Sequence, residues 1–587
     1  MMFKPNINNL NKSEEMISLF GGYDKNYKIP ENSFNDESNM TSDYFPVLSP
    51  RNKRILFNVS GERLSGLFAK ASLGYINNGV LYYNGKAVTG LSFPDINKNR
   101  QFISMGAKLL IFPDKVYLNT NNLEDFGSLE AEFETSNGSE VTFTLCKSDG
   151  ALYENYIVSS APPESPKNND LWLDTSVSPN ELKQYSEYNE DWSVIATTYV
   201  KISFRGIGAD FKQYDGVKIS GCIDENFNGA FIIQDCADDY IIVSGILNNT
   251  IKQTEPIKIE RKIPDIDFFC ENSNRIWGCS SKTNEIFSSK LGDPTNWQCY
   301  MGIASDSYAV SVGTDGDFTG AVSYKGYVLF FKENCVHKIF GSIPPFTVNT
   351  GFIRGVQKGS EKSLVSVNET LYYKSPNGIV MYDGGLPISI SDNFALENYS
   401  NAVAGSLKNK YYVCMTDKNN KRWLFTYDEN KSLWHKEDEI NICEFVCHNC
   451  NLYFIAKEDE NNKRLYLADG VNKYGNFAGE LAGYYEEDDF NWFVETGLWG
   501  LSLPEKKYYS NINIRAIAKS NSEVKIYFQY NSSGEWVKKA DIKINKNGSH
   551  NIPFVTPRCD HLKMRIEGKG DVKILSISRK TEKGSEK

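Results

Sequence analysis

A hairpin signal that returns every ~40 residues constrains this chain more than any other feature of it. Its clearest copy lies between Val367 and Ser391. Two apolar runs, Leu371 to Lys374 and Ile379 to Tyr382, flank Ser375-Pro376-Asn377-Gly378, where proline presets φ and glycine admits the positive φ of a tight turn. Asp383-Gly384-Gly385 turns the chain again, and Pro387 to Ser391 alternates as a further strand. The unit is a small antiparallel meander. It is too thin to bury its own faces, so it must stack beside copies of itself.

The signal recurs with strands centred on Leu81, Leu109, Ile276, Leu329, Leu371, Tyr411 and Leu452. From Leu329 onward the spacing holds near ~40 residues, the length of a four-stranded propeller blade. Three steps depart from it, of which Ile276 to Leu329 is 53 residues. Leu81 to Leu109 is too short, and Leu109 to Ile276 is far too long unless residues 131–258 are excised as an insert. The expected fold is therefore all-β, a roughly seven-bladed β-propeller over 61–130 and 259–475, with inserted small β modules at 131–258. Residues 476–578 change to longer alternating strands, such as Val524 to Tyr530 and Leu562 to Ile566, which imply a C-terminal β-sandwich. Residues 1–60 read as an extended N-terminal arm because their apolar residues come in isolated pairs, and 579–587 read as a disordered tail.

Composition narrows the function. A net charge of −10 argues against general affinity for duplex nucleic acid, which is driven by Lys and Arg displacing counterions, and no sequence-specific nucleic-acid partner is expected. No run approaches the ~18 apolar residues that span a bilayer. Met1 to Pro5 lacks the apolar core of a secretory signal, so the expectation is a chain that folds in the cytoplasm without a membrane partner. Twelve cysteines are too sparse for a disulfide framework, and free thiols are expected.

Candidate chemistry is thin. Cys443, Cys447, His448 and Cys450 have metal-ligand residue types, but strand alternation would send them to different faces, and no metal or other cofactor is expected. Asp315 and Asp317 sit in a Gly-rich loop and supply too few oxygens for Ca2+, which takes ~6–8. A glycan-degrading propeller would need two facing carboxylates. No pair can be placed, and no nucleophile elbow or phosphate loop is present, so the expectation is a chain that is not an enzyme.

Interaction residues are easier to nominate. In the arm, X-Pro steps hold Tyr44, Phe45 and Arg51 on extended backbone, ready to dock on a neighbour or on their own domain. In the insert, Trp172, Tyr185 and Trp192 form either a carbohydrate or protein platform or the core of a small module.

Asn284 to Trp297, Gly359 to Ser363 and Tyr382 to Gly385 resemble propeller-type virion proteins of tailed bacteriophages, including tail-hub and packaged-DNA stabilisation proteins. Asn168 to Ser176, with Leu182 to Tyr185 and Trp192, is similar to a small module of phage tail and fibre proteins. Asn39 to Arg51 resembles N-termini of proteins from phages and prophages of Gram-positive anaerobes. The resemblance implies a structural tail or neck component of a virion, assembled in the host cytoplasm. Its implied partners are other tail, neck or portal proteins in a homo-oligomeric ring. The alternative is a tail-tip adhesin for a host-surface glycan or protein.

Overall fold

The computed structural model describes residues 12–58, 63–459, 462–470, 483–502, 505–518, 522–544, 547–552 and 557–583. The expected boundary at 475/476, the first residues of the arm and the last of the tail lie outside that set. The regular secondary structure of the described residues is almost wholly strand, with three short 3-10 turns and no α-helix.

The fold is all-β and of propeller type. Six four-stranded meanders occur, running over 64–92, 101–128, 268–311, 320–351, 365–389 and 400–439. A seventh is built from Ile442–His448, Asn451–Lys457 and Lys463–Leu467 and is completed by Ile55–Phe57 from the arm. Six of the seven sequence centres fall on the second strand of a meander, which is buried on both faces and is therefore the most continuously apolar. Leu81 instead lies on the third strand of its meander, which explains the short first step.

The chain divides into two compact units. One comprises residues 1–99, 331–336 and 351–587, the other 100–330 and 337–350. In the first, the opening strands Val365–Val367, Ser400–Leu407, Ile442–His448 and Leu64–Lys70 run side by side. In the second, Gln101–Met105, Phe268–Asn272 and Gly320–Tyr324 do the same. Each core lies between neighbouring meanders. Tyr372, Tyr411, Phe425 and Trp434 fill one such layer, and Phe112, Phe269, Ile276 and Trp297 fill another. No meander buries its faces alone.

The insert in the second unit is one curled eight-stranded sheet, opened by Ala131–Glu134 paired with Lys258–Arg261. Val141, Phe143, Val200, Ile219, Ile241 and Ile259 fill its interior. A second, four-stranded sheet hangs from it, in which Ile157–Ser159 runs parallel to Leu171–Asp174, followed by Glu181–Ser186 and Asp191–Val194.

In the first unit the C-terminal strands form two sheets around Trp492, Val494, Ile512, Ile526, Phe528, Met564 and Ile566. Here the structure places the arm and corrects the expectation of a disordered tail. The arm is not a free extension: Lys12–Ile17 pairs with Val572–Lys583, Phe34–Ser38 pairs with Asn491–Thr496, and Ile55–Phe57 joins the seventh meander. Its buried residues come in isolated groups because Phe34–Ser38 and Ile55–Phe57 each bury part of a short strand in a different sheet, whereas Ser13 to Met16 stay exposed. The tail is likewise strand through Lys583, and Arg579 is buried between Glu15 and Glu31.

Candidate functional site

Alternation along Asn491–Thr496, Leu562–Lys569 and Ser522–Tyr530 sends Trp492, Val494, Met564, Ile566, Val524 and Ile526 into the sandwich core. The residues between them face outward. Strand register then sets them in rows: Asn491 opposite Lys569 opposite Glu523, and Phe493 opposite Glu567 opposite Lys525. Together they line a groove of about 350 Å³.

The groove has a rigid floor. Trp492 is buried beneath Gly568, where any Cβ would stand 2.1 Å from the indole ring, so glycine alone lets the tryptophan lie under this strand. The indole Nε1 donates to Gly570 O at 2.9 Å. Arg565 lies 4.1 Å over the Phe493 ring and donates to both Glu495 and Glu567. These bonds hold one wall in place and leave Lys525, Lys569, Glu523 and Asn491 along the other side. Donors and acceptors therefore alternate along the groove, the arrangement that suits a ligand whose hydroxyls both give and take hydrogen bonds.

Sequence reasoning missed this groove. The alternation was visible, but the pairing of three strands distant in sequence was not.

The nominated residues fall elsewhere. Arg51 is buried, with its Nη1 2.6 Å from Glu487 and its guanidinium 4.1 Å over Phe490, so it is spent within its own chain. Phe45 is half-buried, and Tyr44 is partly exposed beneath the Lys573 ammonium at 3.8 Å. The structure thus gives the arm the second of its two readings, docking on its own domain. Trp172 is buried, donates from Nε1 to Ser159 O at 3.0 Å and meets the half-buried Trp192 edge-on at 5.4 Å. Tyr185 packs on Trp192 at 5.3 Å. The three are brought together, with Trp172 as the core of the small sheet. Lys183 bonds Asp174 at 2.8 Å and, with Ser176, holds its carboxyl down at about 2.

Cys447 and Cys450 are exposed while His448 is buried, so the hairpin separates these metal-ligand residue types. A cavity of about 130 Å³ sits where the strands Leu64–Lys70 and Ile442–His448 begin, lined among others by Asn97, Lys98, Lys362 and Glu444. Lys362 donates to Glu444 Oε1 there at 2.8 Å, and Glu444 Oε2 is buried without a hydrogen-bond partner.

No family model and no curated protein matches the chain. Solved structures do. An exo-β-1,3-galactanase from Phanerochaete chrysosporium, solved with galactose, is 8% identical at a TM-score of 0.22, over 53% of this chain and 95% of that one. The phage phi92 endosialidase is 9% identical at 0.23, over 91% and 81%. An exported protein of Bacteroides fragilis is 10% identical at 0.24, over 45% and 92%. The expectation of a chain that is not an enzyme is corrected by these matches, since glycoside hydrolases are prominent among them. At such scores the likeness assigns no residue and no reaction to this chain. One match is a phage protein, and no sequence-level match supports a tail-hub assignment.

Proposed function

We propose that this chain is a tail protein of a tailed phage that contacts a host-surface saccharide through the groove on its C-terminal sandwich. The observation that carries the saccharide half is the groove itself. Its volume lies within the ~300–1,000 Å³ of small-molecule sites, and its lining of three cations, two carboxylates and an amide over a fixed floor suits a polyhydroxyl ligand. Support for the phage half comes from the resemblance of the Asn284 to Trp297 and Asn168 to Ser176 segments to phage virion proteins.

A connector in the tail or neck, docked in a ring with other virion proteins, is the second reading. One observation favours it. Tyr27 and Leu396 are almost wholly exposed and Leu386 is 74% exposed, on segments joined by Lys25 N donating to Asn393 O and Asn26 Nδ2 donating to Asp392 O. Such side chains suit an interface with a neighbouring subunit.

The groove is tested by binding of the full chain to purified host-surface polysaccharide. The double variant Lys525→Glu, Lys569→Glu is expected to weaken binding at least about tenfold, the factor that ~1.4 kcal/mol represents, without lowering the melting temperature. Unchanged binding by that variant removes the groove from the proposal.

A further inference from the structure

Far from the groove in sequence, the fifth meander holds a lysine with no counter-ion. Lys374 is the penultimate residue of the strand Thr370–Ser375 and is only 3% exposed, yet its Nζ donates to a neutral acceptor, Ser375 O, at 2.6 Å. No ion pair is recorded for it among the described residues. Burial pushes its ammonium down to about 8. A desolvated ammonium with one neutral acceptor lacks most of the partners that its three N–H groups can use.

Lys374 lines a cavity of about 60 Å³, several times the ~10–15 Å³ that one water needs. The buried side of the lining is Lys374, Phe394, Tyr399 and Met415. Its rim is Asn377, Asn398, Ser391 and Glu397. Ser391 Oγ accepts from Ile379 N at 2.9 Å, which leaves its hydroxyl proton free to donate. Glu397 is already engaged by the Tyr399 hydroxyl at 2.6 Å. Gly378 makes the cavity feasible: a Cβ there would stand 2.3 Å from Ser391 Oγ, and its φ is +140°.

We propose that this cavity binds a carboxylate group, with Lys374 as its cation and the Ser391 hydroxyl and the Asn377 and Asn398 amides as further donors. Charge selects the class. One ammonium balances one negative charge, whereas a phosphate dianion would leave excess negative charge beside Glu397. The carboxylate can belong to a small organic acid or to an acidic sugar, and the two sources share the same recognition.

The test measures the melting temperature of the full chain against acetate, glucuronate and inorganic phosphate, with chloride at matched ionic strength as the reference. Acetate or glucuronate is expected to raise it saturably, as a ligand that binds only the folded state must. A response to acetate means that a free carboxylate suffices, and a response to glucuronate alone assigns the acidic sugar. Lys374→Met, of similar volume and without the buried charge, is expected to fold and to lose the response. Trace amine acylation read by peptide mass spectrometry gives an independent measure. Carboxylate should protect Lys374 about tenfold and leave the exposed Lys418 unaffected. The proposal is overturned if Lys374→Met responds as the parent does, if only phosphate acts, or if no anion moves the parent. None of these outcomes bears on the sandwich groove.

Discussion

At the scale of single residues, the buried arginines of the arm are paired with carboxylates, and the pairing anchors the arm. Arg54 is almost fully buried, 2.7 Å from both Glu437 and Asp438, while Arg51 holds Glu487. Burial alone would lift the Asp438 carboxyl, but the Arg54 guanidinium beside it holds it below the usual value. Burial wins at Glu437, which is raised in spite of Arg54 and Arg51. Removing one partner of such a set leaves the others buried and uncompensated, which costs about 3–5 kcal/mol. Arg54→Met should therefore lower the urea midpoint by a corresponding amount without changing the slope. A shift near zero would mean that water replaces the guanidinium. None of this was legible in the sequence. Arg51 reads as a free arm residue there because its acidic partners lie hundreds of positions away.

At the scale of elements, the arm decides more than its composition suggests. The strand Ile55–Phe57 pairs with Lys463–Leu467 on one side and Tyr484–Glu486 on the other, and Ile55 and Phe57 pack with Tyr453, Leu465 and Leu467. The close fit extends to Gly22, where a Cβ would lie 2.1 Å from Trp434 O. Deleting residues 1–60 would thus strip an interior strand from the seventh meander and strands from both sandwich sheets. The truncated chain is expected to aggregate or to lose its cooperative melting transition, as calorimetry would record. If it melts as the full chain does, these strands add nothing to stability. The hairpins, by contrast, were legible because their signal is local. Ser375 pairs with Gly378 across Pro376-Asn377, as the turn residues imply.

At the scale of the whole molecule, the proposed role makes one structural demand. In an electron cryomicroscopy map of the particle, density for this chain should lie in the tail with the sandwich groove facing outward. A ring near the portal would instead select the connector reading, and absence from the particle would remove the phage proposal altogether. Either location leaves the groove and the Lys374 cavity to be tested in solution.

The sequence by itself determined the all-β class, the ~40-residue repeat and the existence of an insert and a C-terminal sandwich. Each follows from side-chain alternation and turn residues, which act over a few positions. Only the tertiary structure decided where the arm and tail go, which outward-facing residues share a groove, and that Lys374 lies buried without a counter-ion. Those outcomes depend on pairing between strands separated by tens to hundreds of residues. Cross-strand register is chosen by the packing of whole sheets, and no local pattern encodes which distant strand supplies the partner.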